Sequence, residues 1–188
     1  KPPPAASLRR FGRASLHKDG DGVLIGIIDA QGFDFAHPDF LDESGETRFL
    51  RIWDQGGDSR PGPEEFGYGA EIMRDHLNAA IRASDEFGLE PQQLEPQSQM
   101  SISSHATHVA SIAAGNNGVC RRAHIAGVLI SLPAEDADRR QSFYDSTRIA
   151  HAIDYLFNLG LELGMPVSIN ISLGTNGHAH DASSAINR

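Results

Sequence analysis

The chain has 188 residues, about one domain by the usual length relation, and that is enough to bury a core without disulfide or metal staples. Sixteen Lys and Arg against 25 Asp and Glu give a net charge of −9, with 39% apolar residues, which excludes wholesale disorder and disfavours nucleic acid and anionic membrane surfaces as partners. A single cysteine, Cys120, excludes an intrachain disulfide and a thiolate zinc cluster, and is read as a small buried hydrophobe or an idle thiol.

Residues 1–20 are rich in Pro, Arg, Lys and Gly and read as an N-terminal arm; they contain no apolar run of the signal-peptide kind. After the Gly20-Asp21-Gly22 turn, Val23-Leu24-Ile25-Gly26-Ile27-Ile28 is almost continuously apolar. It predicts a parallel strand buried on both faces and ending in Asp29. Arg48-Phe49-Leu50-Arg51-Ile52-Trp53 predicts a peripheral strand, residues from Tyr68 to about Ala83 a helix, and Gln92 to Gln99 a loop. Residues from about 41 to 100 together read as a surface insertion.

Regularity resumes at His105. His105, Val109, Ile112 and Ala113 recur at helical spacing until Gly115-Asn116-Asn117-Gly118, and predict a short, tightly packed helix. His124–Leu132 predicts a second strand. Asp145–Gly164 predicts a helix with Asp145 or Ser146 as N-cap and a buried stripe of Ile149, Ala152, Ile153, Leu156 and Phe157; Val167–Leu173 predicts a third strand. Strand, helix, strand, helix, strand is the order of an α/β fold with a mainly parallel sheet and helices on both faces.

Open parallel sheets place their active sites at the carboxyl ends of strands, where Asp29 stands. The His105-Ala106-Thr107-His108 pair has two readings. In one, His105 and His108 join His178, His180 or Asp181 around a metal, although the Glu of the H-E-x-x-H signature is absent. In the other, one imidazole is a general base held in its tautomer by a carboxylate, a role open to Asp29.

Gly22–Asp29 followed by Asp34-Phe35-Ala36-His37-Pro38-Asp39-Phe40 resembles the aspartate block of the subtilisin-like serine proteases. Ser104–Gly115 resembles their histidine block, and Pro166–Gly174 the strand they lay beside a bound peptide. The resemblance implies the N-terminal part of such a catalytic domain over residues 21–188. In it Asp29 orients His105, the general base, and Ser172, Leu173 and Gly174 pair with the substrate backbone. Asn170 and His108 are expected to serve in packing or behind the site. The resemblance implies no redox or organic cofactor. Structural calcium is compatible with the family, but Asp19-Gly20-Asp21-Gly22 is too short to place it.

The chain departs from the family pattern in four places. Ala106 and Ser111 stand where the family has Gly, and Ala30-Gln31-Gly32 follows Asp29 with one residue more than usual. Nothing in residues 1–188 resembles the Gly-Thr-Ser nucleophile block, and Ser183 and Ser184 lack its surroundings. Two expectations follow: a peptide or protein substrate, and a complementary C-terminal segment that carries the nucleophile and covers residues 166–174. A catalytically silent relative that binds a peptide or protein is the alternative. A bacterial secreted or periplasmic location is the weak preference.

Overall fold

The computed structural model describes residues 18–100, 104–130 and 141–173. In chain order these form β1 (Leu24–Asp29), β2 (Phe49–Asp54), β3 (Ala70–Met73), α1 (Arg74–Phe87), the short α2 (Pro91–Leu94), α3 (His105–Ala114), β4 (His124–Leu129), α4 (Gln141–Leu163) and β5 (Val167–Ile171). The strands make one five-stranded sheet in the order β3-β2-β4-β1-β5. Every pairing is parallel except β2 with β3. This is the α/β architecture expected from the alternation of strands and helices.

β1 is buried along its whole length, as its apolar run requires. Its alternating side chains serve two cores. Ile25 and Ile27 pack with Ala106 and Ala110 of α3 and Leu77 of α1 on one face, while Leu24 and Ile28 pack with Ala152 and Leu156 of α4 on the other. Two glycines let the layers close: a Cβ on Gly26 would stand 2.7 Å from Leu156 Cδ1, and one on Gly127 2.5 Å from the Phe33 ring. With a fully buried Leu, Ile or Phe contributing about 1.5–3 kcal/mol, these two cores do without a covalent staple. Asp29 has the parity of Ile25 and Ile27, so the strand delivers its carboxylate to the face that carries α3.

The stretch 41–100 is not the surface insertion its turns suggested. β2 lies inside the sheet, between β3 and β4, with Phe49, Ile52 and Trp53 fully buried. β2 is therefore not the peripheral strand expected, although it carries the charge of Arg51. That charge is met at 3.2 Å by Glu71 on β3 and at 2.6 Å by Glu162 on α4, which makes an inner position tolerable. The helix expected from Tyr68 begins only at Arg74, because Ala70 to Met73 alternate buried and exposed as an antiparallel partner of β2.

At α4 the helix starts four residues before Asp145, which is therefore not its N-cap. Its buried stripe is Ala152, Tyr155, Leu156 and Leu159, and Phe157, one residue round from Leu156, is exposed. β4 and β5 end at Leu129 and Ile171, earlier than expected. Of the proposed arm, residues 1–17 lie outside the described residues and 18–20 form a single 3₁₀ turn. No helix among the described residues is long and apolar enough to cross a membrane.

Candidate active site

The carboxyl ends of β1, β2 and β4 lie at one edge of the sheet, and Asp29 and Asp54 both project there from final strand positions. α3 arrives at the same edge by its N-terminus. Ser104 caps that helix, its Oγ accepting from Thr107 N at 3.2 Å and donating to Gly32 O at 2.5 Å. Thr107 Oγ1 in turn accepts from Asp34 N at 2.9 Å. The cap thus binds the start of α3 to the turn that follows β1. His105, the first helical residue, is thereby set opposite Asp29.

His105 Nδ1 lies 2.7 Å from Asp29 Oδ2. An ionised carboxylate only accepts, so the imidazole donates through Nδ1 and keeps its lone pair on Nε2. The two partners differ in exposure: the Asp29 side chain is 3% accessible and that of His105 58%. Asp29 Oδ1 accepts separately from Gln31 N at 3.1 Å. The carboxylate is therefore fixed through both oxygens, while the ring is open to a ligand.

His108, one turn further along α3, is exposed and does not take the packing role expected of it. Ala106, which stands where the family has Gly, is fully buried in the core under α3. Ser111 is accommodated through its hydroxyl, which donates at 2.5 Å to Asp39 Oδ2. Burial pulls the Asp39 carboxyl upward, but the bonds from Ser111 and Asn117 outweigh it and hold the group below its ordinary range.

Ser172 follows β5, and its N–H donates to Ile28 O at 3.0 Å, which brings it beside the end of β1. Among the described residues Asn170 is exposed, with Nδ2 donating to Ser172 Oγ at 2.6 Å. Leu173 is half-buried against the α4 core. Gly174, His178, His180, Asp181, Ser183 and Ser184 lie outside the described residues. Among the described residues β5 has β1 on one side and no strand on the other. Cys120 is half-buried and packs against the α3 core, in keeping with a hydrophobic part.

Sequence reasoning missed a strap formed by residues 95–100. Glu95, buried, is paired with Arg60. The Gln97 amide exchanges two 2.8 Å bonds with the main chain of Phe33, and Gln99 O accepts from Gly32 N at 3.0 Å. Ser98 binds the buried Asp54 carboxylate through N at 2.5 Å and Oγ at 2.7 Å. A Pro- and Gln-rich segment is thus pinned across the ends of β1 and β2, walling the edge where Asp29 lies. The strand-final Asp54 was the available clue, since it matches Asp29 in placement.

Asp34, under the same wall, has its carboxyl raised above the ordinary 3.8 by burial, against the bond it accepts from Gln92 and the nearby His37. A carboxyl with a raised folded-state pKa binds protons more tightly folded than unfolded, so its contribution to stability declines as pH rises above about 3.8. Asp34→Asn keeps an acceptor for Gln92 and removes the charge. It is expected to raise the thermal midpoint at pH 7, the gain over the parent vanishing below about pH 4 where both side chains are neutral. Thermal scans at the two pH values check this.

The Asp19-Gly20-Asp21-Gly22 segment does not offer calcium free carboxylates. The Asp19 and Asp21 carboxylates face Arg121 at 3.0 Å and Arg122 at 3.4 Å. Among the described residues no three His, Cys, Asp or Glu side chains are grouped to hold a metal ion.

A mainly parallel sheet, with a buried inner strand ending in a carboxylate bonded to the leading imidazole of a small-residue helix, defines the subtilisin-like class of α/β proteins. The chain belongs to the subtilase family, whose model matches residues 20–188. It is similar in structure to the CspB protease of Clostridium perfringens, with a TM-score of 0.69 and 29% identity over 92% of this chain. The match covers 34% of that protein, so the chain spans about a third of its length. No curated protein matches the sequence.

Proposed function

We propose that this chain is the N-terminal part of a serine endopeptidase catalytic domain, with Asp29 and His105 as two members of an Asp-His-Ser triad. The observation that carries the reading is the 2.7 Å bond between Asp29 Oδ2 and His105 Nδ1, at the carboxyl edge of a parallel sheet. In this reading Asp29 holds the proton on Nδ1 and supports the imidazolium that forms later. Nε2 takes a proton from the serine hydroxyl as that oxygen attacks the scissile carbonyl. The same proton passes to the leaving amine, and a water molecule then releases the acyl group by the reverse sequence.

The nucleophile is assigned to a segment outside residues 1–188, since no Gly-Thr-Ser triplet occurs within them. The chain alone is accordingly inactive. A complementary segment is also suggested by the side of β5 that carries no strand among the described residues, where Ile171 is 46% exposed, an edge that invites pairing. An extended substrate peptide would align with Ser172, Leu173 and Gly174 through main-chain bonds.

A fluorophosphonate probe applied to the complete gene product tests the proposal. Covalent labelling that persists with chelator supports the triad. Peptide affinity without labelling would establish the silent binder instead. Hydrolysis lost to chelator and indifferent to the probe would establish a metal-dependent hydrolase.

A further inference from the structure

We propose that Gln31 is a positioning residue that locks the Asp29–His105 pair; the inference rests on the triad reading above. Gln31 belongs to the turn with one residue more than the family pattern, and it touches both members of the pair. Its N–H donates to Asp29 Oδ1 at 3.1 Å, and its side-chain Oε1 accepts from His105 N at 2.6 Å. With the 2.7 Å bond between His105 Nδ1 and Asp29 Oδ2, the three residues form a closed ring of hydrogen bonds.

That ring does what packing does not. The His105 side chain is 58% exposed, so few neighbours restrain it, and a single bond to Asp29 leaves the ring free to swing about that contact. Gln31 ties the main chain of His105 to the same turn that grips Asp29, so the imidazole and the carboxylate move as one body. Helix stability does not demand this contact. His105 N–H is among the first donors of α3, which have no partner within the helix and are readily met by water at an exposed position. The gain from Gln31 lies in geometry, to which proton transfer is far more sensitive.

Two substitutions in the complete gene product separate the roles. Gln31→Met keeps the length and loses the acceptor, whereas Gln31→Glu keeps an acceptor oxygen in the same place. Fluorophosphonate labelling rate, kcat and KM on a peptide substrate, and the downfield Nδ1 proton resonance of His105 are measured. For Gln31→Met we expect labelling and kcat to fall about 10-fold with KM within about twofold, as misplacement of a catalytic group predicts. The Nδ1 resonance should broaden or shift. For Gln31→Glu labelling should stay within about threefold of the parent, since the acceptor is retained.

Labelling by Gln31→Met at the parental rate with the resonance unchanged would overturn the proposal. So would Gln31→Glu as slow as Gln31→Met. If the parent itself is not labelled, the protease reading fails separately, and the resonance alone decides: its loss in Gln31→Met supports the positioning role and its persistence refutes it.

Discussion

On the proposed triad, Asp29→Asn in the complete protein is expected to lower kcat about 10⁴-fold with the fold intact, because the substitution leaves the geometry in place and reverses the tautomer. Asn matches Asp in shape, and its oxygen can still accept from Gln31 N. Its NH₂ group, however, would face His105 Nδ1 across the 2.7 Å gap now closed by Nδ1–H and Oδ2. Two donors cannot share that contact, so the imidazole proton moves to Nε2 and the lone pair that should receive the serine proton turns inward. His105→Ala removes the base outright and should lose at least as much rate, since triad members act as a unit. Fluorophosphonate labelling beside thermal unfolding distinguishes this from damage to the fold. An Asp29→Asn protein that labels within tenfold of the parent would mean that the carboxylate does not govern the base.

The parts of this arrangement that were legible in the sequence are those governed by local rules. β1 announces itself by an unbroken apolar run, and its last position fixes which face Asp29 takes. Small residues at helical spacing after Ser104 mark α3, and the capping serine puts His105 at its start. Long-range partners were not legible. The inner place of β2 was among them, since the charge of Arg51 on it is met by Glu71 and Glu162, 20 and 111 residues away. The strap was read as plain loop because Gln97 bonds Phe33 across 64 positions and Ser98 bonds Asp54 across 44. Ser111 stands where the family has Gly, and the sequence does not show that its hydroxyl meets Asp39, 72 residues earlier. In each case a polar side chain is matched by a partner from another element that the sequence alone does not show.

The placement of α3 depends at its far end on a cation equally invisible in sequence. Arg48 is buried at the start of β2, and its guanidinium donates to Ala114 O at 2.6 Å, Ala123 O at 2.9 Å and Asp39 O at 3.2 Å. Ala114 is the last residue of α3, where carbonyls lack intrahelical partners and the helix dipole favours positive charge. One side chain thus joins the end of α3, the approach to β4 and the turn before β2. Desolvation holds the Arg48 pKa below its ordinary value, a cost that offsets part of the gain.

Arg48→Met fills a similar volume but removes the side-chain donor from Ala114 O and Ala123 O, while Asp39 O keeps the bond from Asn116 N at 2.7 Å. Hydrogen bonds to a charged group are worth about 1.5–3 kcal/mol each, and relief of the buried cation returns part of their sum, so a net destabilisation of about 3 kcal/mol is expected. For a domain of this size that is roughly 6–12 °C in the unfolding midpoint. Arg48→Lys should recover less than half, because a single ammonium on a flexible stem does not present the planar fork that spans three acceptors. Thermal and denaturant unfolding of the two variants measure this. A midpoint within about 2 °C of the parent for Arg48→Met, less than 1 kcal/mol by the same conversion, would show that water takes over the carbonyls and that α3 is held from its N-terminal end alone.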